Sequence, residues 1–139
     1  MEKDIKLTVI MPSLNVAPYI EMCIKSVVNQ TMQDMEILCI DAGSTDGTLD
    51  ILEQFNSKDS RIRIIHSDKK SYGYQVNKGL ALAKGKYVSI VETDDFISQD
   101  MYEKLYMIAE TYHLDYVKGT YSNFVSLDHT NVFSWEVQT

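Results

Sequence analysis

Apolar and polar positions along the first hundred residues fall into blocks of two kinds. Short apolar runs, rich in β-branched residues, cover residues 7–11, 36–40, 61–66 and 86–92. Their length and composition predict buried strands. Between them, apolar residues recur at three- and four-residue spacing, which predicts amphipathic helices. Ile20, Cys23, Ile24, Val27 and Val28 mark one such face. Leu49, Leu52 and Phe55 mark a second, and Val76, Leu80 and Ala83 a third. Met101, Leu105, Ile108 and Tyr112 mark a fourth.

The punctuation fits these blocks. Pro12 is expected to stop the first strand, and Asn15 to cap the first helix with Pro18 in its first turn. Ser44, Thr45 or Asp46 is expected to cap the second helix, and Ser98 the fourth. Gly85 is expected to end the third. From Tyr116 the pattern looks extended, with Val117, Tyr121 and Val125 inward; residues 126–139 are weakly patterned, as a hairpin, a loop or a cut edge. Alternating strand and helix predicts an α/β fold: a mostly parallel sheet with helices on both faces. Residues 1–125 are read as the main domain and 126–139 as an edge segment or the start of a further part.

Composition narrows the class. A chain of 139 residues, 45% hydrophobic and 24% charged, is sized and mixed for one compact core. The formal net charge of -7 and the lack of a dense basic cluster argue against nucleic-acid binding. Cys23 and Cys39 lie inside apolar patterns and read as core residues in a reducing compartment. The first residues lack a secretory core, and no apolar stretch is long enough to span a bilayer. The expectation is a cytoplasmic domain, with any membrane association carried by segments outside this chain.

Candidate chemistry sits in three polar turns, at residues 12–15, 41–46 and 92–95, each just past a strand. Parallel strands bring all three to one edge of the sheet, where such folds bind ligands. Alone, each turn could serve only as a strand end and helix cap. Asp94 and Asp95 are adjacent carboxylates, which either stay solvated or share a hard cation with substrate phosphates. The chain lacks a Gly-x-x-x-x-Gly-Lys-Ser/Thr phosphate loop, a Gly-x-Gly-x-x-Gly turn and a Gly-x-Ser-x-Gly nucleophile turn. His66, His113 and His129 have no metal-ligand spacing.

These residues carry a resemblance. The stretches are Val9-Ile10-Met11-Pro12-Ser13-Leu14-Asn15, Ser26-Val27-Val28-Asn29-Gln30-Thr31 and Ile40-Asp41-Ala42-Gly43-Ser44-Thr45-Asp46-Gly47-Thr48. They continue with Asn77-Lys78-Gly79-Leu80, Ala83-Lys84-Gly85 and Glu92-Thr93-Asp94-Asp95. In order and spacing, over roughly residues 5–120, the chain resembles the N-terminal nucleotide-sugar-binding part of a family 2 glycosyltransferase of the GT-A fold. The resemblance implies sugar transfer from a nucleotide-diphosphate donor to an acceptor hydroxyl, with inversion, in cell-surface polysaccharide assembly. It implies a glycan or lipid-linked acceptor and a Mg²⁺ or Mn²⁺ cofactor. Homo-oligomers are compatible with it.

By the same resemblance, Pro12, Ser13, Leu14, Asn15, Asp41, Ala42, Asn77 and Asp94 bind the nucleotide-sugar, with Pro12 and Leu14 against the nucleotide. Asp41 borders the base, Asp94 faces the ribose, and Asp95, with Asp94, holds the metal. Four positions depart from the pattern. Leu14 stands where many relatives have an aromatic residue, Ala42 where many have a second acid, and Val76 where many have arginine. Glu92 replaces the more usual aspartate, and either reaches the same ligand or pairs with a strand neighbour. Residues 70–75 either offer substitute contacts from hydroxyl, amide and Lys70 or form a helix entry with surface tyrosines.

In the family, the acceptor site and catalytic base lie beyond the acidic motif, and this chain ends about 44 residues after Asp95. A truncated part of a longer protein is therefore expected. Asp115, Asp128 and Glu136 have no motif context, and no catalytic base is assigned. Two alternatives stand beside transfer. One is a non-catalytic nucleotide-sugar-binding or assembly module. The other is a nucleotidyltransferase, which would want a glycine-rich basic loop where Pro12-Ser13-Leu14-Asn15-Val16 stands.

Overall fold

The computed structural model describes residues 4–119 and the backbone of 122–123 and 133–134. The chain divides into two compact units, residues 1–100 and 101–139. The first unit holds strands β1 (Leu7–Ser13), β2 (Met35–Asp41), β3 (Ile62–His66) and β4 (Tyr87–Ile90). Helices α1 (Ala17–Val28), α2 (Thr48–Lys58) and α3 (Tyr72–Leu82) alternate with them. The four strands form one parallel sheet in the order β3-β2-β1-β4. The second unit holds α4 (Met101–Thr111) and a short antiparallel pair, β5 (Ser122–Asn123) and β6 (Phe133–Ser134). The expected boundary at residue 125 lies outside the described residues.

Strand order explains the burial. β1 and β2 are flanked on both sides, and all seven residues of each are buried. Ile10, Leu38 and Ile40 form a fully buried cluster, against which Ile65 and Leu82 pack. Burying each such side chain contributes about 1.5–3 kcal/mol. The fourth run was expected to be buried along residues 86–92. Instead β4 spans four residues and alternates, with Ile90 43% exposed. It pairs only with β1 among the described residues, so one edge has no strand beside it.

Pro12 does not stop β1, which runs on to Ser13 and pairs Pro12 with Ile40 of β2. Pairing with β4 ends at Ile10. The Pro12 carbonyl points to the β4 side, where it accepts from Thr93 Oγ1. The N–H that proline lacks would lie on that same unpaired side, so the β2 ladder loses nothing.

Right-handed crossovers place α1 and α2 on one face and α3 on the other. The inward face of α3 is not the expected Val76–Leu80 stripe. Gln75 and Gly79 are buried, and Leu80 is 47% exposed. A Cβ on Gly79 would meet three Ile10 side-chain atoms at 2.9 Å, so the glycine lets α3 sit close against β1. Gly85 is tighter still, with only 2.4 Å between such a Cβ and the Thr8 backbone nitrogen. The turn before β4 is pinned by buried Glu36, whose Oε1 accepts from Thr8 Oγ1 and from Lys84 N, each at 2.7 Å. In the second unit, α4 begins at Met101, so Ser98 is not its cap. Its buried residues are Tyr102 and Ala109, one position off the expected stripe, and Tyr112 is exposed. Val117 is half-buried, whereas Tyr121 and Val125 lie outside the described residues.

Candidate functional site

The order β3-β2-β1-β4 reverses direction between β1 and β4. The chain winds from β1 outward to β3, then returns across the sheet to β4. Such a switch point opens a crevice past the carboxyl ends of the two strands. The turn at 12–15 and the acidic run at 92–95 flank it. They are stitched together by the buried bond from Thr93 Oγ1 to the Pro12 carbonyl, at 3.0 Å. A second tie comes from Cys23 on α1, whose thiol donates to the Glu92 carbonyl at 3.5 Å. Burial, then the charges of Asp95, Asp94 and Glu92, push that thiol up to about 12, which keeps it protonated as the donor of this bond.

On the β2 side the turn is saturated by its own groups. Asp41 is fully buried. Its Oδ1 accepts from Ser13 Oγ at 2.8 Å and from Ser44 Oγ at 2.6 Å. Its Oδ2 accepts from Gly43 N at 3.0 Å and Ser44 N at 2.8 Å. Four donors fill the acceptor capacity of a carboxylate. Asp41 was expected to border a base; in this structure its carboxylate faces inward and shapes the turn. Gly43, at φ 90, supplies the left-handed step that turn requires. Ala42 is buried, and its N–H donates to the Ser13 carbonyl at 3.0 Å.

Asn15 also differs from its expected role. It adopts a left-handed φ of 53, which asparagine tolerates, and lies before the helix cap at Val16. Its Oδ1 accepts from Thr45 N at 2.8 Å, and its N–H donates to Ser44 Oγ at 2.9 Å. The start of α1 is capped from the other turn. Asp46 Oδ2 accepts from Ala17 N, and Thr48 Oγ1 accepts from Val16 N, both at 3.0 Å. Asp46 Oδ1 also accepts from Thr48 N at 3.1 Å, so one carboxylate serves two helix starts. The turns at 12–15 and 41–48 are therefore one interlocked body. Leu14 sits half-buried on it.

Gln75 locks this body to α3. Its Nε2 donates to the Ser13 carbonyl at 3.0 Å and to the Ile40 carbonyl at 2.8 Å. The amide offered by residue 75 is thus spent inside the protein. The motif order placed it near the site but did not show it pointing inward. Asn77 lies exposed on α3, about 7 Å of helix rise beyond Tyr72, and is not drawn into these contacts.

The β4 side is different. Glu92, Asp94 and Asp95 are all exposed. Glu92 Oε1 accepts from Tyr72 Oη at 2.5 Å, a pairing across the rim from the start of α3. That bond, more than burial, pushes the Tyr72 hydroxyl up to about 12. The Asp95 carboxyl is raised above the usual range by partial burial, then by the negative charges of Asp94 and Glu92. A bound cation would reverse that repulsion. Among the described residues no group of three or more His, Cys, Asp or Glu side chains could hold a metal alone. Asp94 and Asp95 fit Mg²⁺ or Mn²⁺ in the manner of a site completed by phosphate oxygens and water.

Comparison with known proteins agrees with this geometry. The family model described as glycosyl transferase family 2 matches residues 8–134. The glycosyltransferase GlyG of Streptococcus pneumoniae serotype 4 is 35% identical over 123 residues, covering 88% of this chain and 41% of the relative. The poly(ribitol-phosphate) beta-glucosyltransferase of Bacillus spizizenii is 34% identical over 118 residues, covering 82% and 19%. The chain thus spans less than half the length of these relatives. Among solved structures, S. aureus TarS 1–349 in complex with UDP superposes with a TM-score of 0.73 at 24% identity, covering 87% of this chain and 40% of that one. The mannosyltransferase PcManGT of Pyrobaculum calidifontis, in complex with GDP-Man and Mn²⁺, superposes at 0.61 and 24% identity, covering 68% and 29%. These likenesses bear out the expected α/β fold of the GT-A type. With the family model covering nearly all of its length, the chain belongs to glycosyl transferase family 2.

Proposed function

We propose that this chain is the donor-binding part of a metal-dependent glycosyltransferase that moves a sugar from a nucleotide-diphosphate donor to an acceptor hydroxyl with inversion. The observation that carries the reading is the Thr93–Pro12 bond, which fixes the exposed acids Asp94 and Asp95 at the switch point of the sheet. The interlocked turns at 12–15 and 41–48 form a rigid wall on the other side, with Leu14 and Ala42 in the positions implied for the base. Asp94 faces the ribose, and Asp95 carries the Mg²⁺ or Mn²⁺. When bound, the cation supplies Lewis-acid stabilisation of charge on the departing diphosphate. Asp95 holds its carboxylate at the metal, and Cys23 and Thr93 keep the run from shifting. Half-buried Leu14 fits a base by apolar contact, and Ala42 supplies no second acid to read its edge, so several nucleotides are compatible with the site.

The acceptor is a glycan or lipid-linked sugar, and the setting is polysaccharide assembly at the cytoplasmic face of a membrane. Names among the relatives support the polysaccharide setting, including the poly(ribitol-phosphate) beta-glucosyltransferase and a chondroitin synthase of Escherichia coli. No helix among the described residues is long and apolar enough to cross a membrane. The test is a thermal-shift panel of UDP, GDP, CDP and dTDP with and without Mn²⁺ on this chain, followed by turnover of the matching nucleotide-sugars by the full-length protein. A shift that requires Mn²⁺ is expected, with release of free nucleoside diphosphate when acceptor is added. Metal-dependent binding without release marks a binding module in place of a transferase. The absence of any shift removes the donor site.

A further inference from the structure

The bond from Tyr72 to Glu92 has no part in the binding scheme above. Its ends come from elements on opposite sides of β1. Tyr72 opens α3, which packs on β1 and β2, and Glu92 follows β4 at the outer edge of the sheet. A hydroxyl–carboxylate contact of 2.5 Å therefore crosses the rim beside the end of β1. It lands two residues before Asp94. Glu92 Oε1 is committed to the tyrosine by this contact.

The tyrosine is anchored at its tip. Its residue surface is 51% exposed although the hydroxyl is bonded. An aromatic ring held this way offers an open apolar face whose orientation is already set. A ligand stacking on it loses little further side-chain freedom. The base is expected on the Leu14 and Ala42 side, between β1 and β2. The ring is tied to the acidic run, so it lies toward the diphosphate and the sugar. The apolar C–H face of a pyranose is the chemistry such a ring takes.

We propose that Tyr72 contacts the donor's sugar and that Glu92 is its positioning residue, not a metal ligand. This rests on the donor-site reading. Shortening Glu92 to aspartate withdraws the acceptor by about 1.5 Å, one carbon–carbon bond, and releases the ring.

The test is calorimetry in Mn²⁺ with UDP-, GDP-, CDP- and dTDP-glucose, each beside its free nucleoside diphosphate, with folding of every variant checked by its unfolding midpoint. Tyr72→Ala is expected to weaken the nucleotide-sugar about tenfold and to leave the free diphosphate within about twofold. Tyr72→Phe, Glu92→Ala and Glu92→Asp each weaken the nucleotide-sugar about threefold, and Tyr72→Phe with Glu92→Ala is no worse than either alone. Additive losses, or equal losses for both ligand types, overturn the proposal. So does a raised Mn²⁺ requirement in Glu92→Ala, which would make Glu92 a ligand. If the parent chain binds none of these ligands in Mn²⁺, the donor-site reading itself falls.

Discussion

The two sides of the rim are built from the same residue types and put to opposite uses. At the end of β2, Asp41 is buried and accepts four hydrogen bonds, and Asp46 accepts from two helix starts. At the end of β4, Asp94 and Asp95 are exposed and crowd one another. A carboxylate saturated by its own protein is scaffold. A carboxylate left exposed beside another is available to a ligand. The comparison teaches that an acidic rim is not uniform, and that only its β4 half is free to take a cation.

The sharpest way to break the comparison is to remove one acid from each side and measure stability. Asp41→Ala strips the acceptor from two hydroxyls and two amides in a buried turn. It is expected to cost about 3 kcal/mol or more in urea unfolding, because the donors stay buried without partners. If Asp41→Ala unfolds like the parent, the turn is not held as described. Gln75→Ala frees the Ser13 and Ile40 carbonyls and is expected to cost about 1–3 kcal/mol in the same assay.

Smaller effects carry opposite signs with pH. The Asp46 carboxyl is lowered, first by its bond to Thr48. Its stabilising contribution is present above the ordinary value of 3.8 and is lost as pH falls through the lower folded value. Asp46→Asn should therefore lower the thermal midpoint at neutral pH and converge with the parent in acid. Asp95 is raised, so ionising it works against folding as pH rises from 3.8 through the higher folded value. Asp95→Asn should leave metal-free stability within about 0.5 kcal/mol of the parent at neutral pH, on the favourable side. A fall in the midpoint would place Asp95 in the scaffold with Asp41.

Much of the fold is legible in the sequence because its signals are local. The runs at 7–11, 36–40 and 61–66 are short, apolar and separated by helical spacing, which is enough to specify a parallel sheet. Convergence of the three turns follows from that topology. What sequence does not show is where a polar side chain spends its hydrogen bonds. Asp41 and Asp95 each follow an apolar run in a turn, and only the folded geometry separates a caged acid from an open one. Asn15 looks like a helix cap by position, yet Asp46 and Thr48, about thirty residues away, cap α1. Glu36 sits inside an apolar run with no visible partner until Thr8 and Lys84 meet it. The inward face of α3 was misread because Leu80 is more apolar than Gly79, while close approach to Ile10 selects the smaller residue.

The central claim is that the open half of the rim holds a metal–diphosphate and the closed half does not. The most direct measurement is calorimetric titration of the preferred nucleoside diphosphate into the chain and into Asp95→Asn, each with Mn²⁺ and with chelator. Binding by the parent only in Mn²⁺, and its loss in Asp95→Asn at an unchanged unfolding midpoint, is the predicted result. Binding of equal strength in Asp95→Asn, or binding that ignores Mn²⁺, would contradict it.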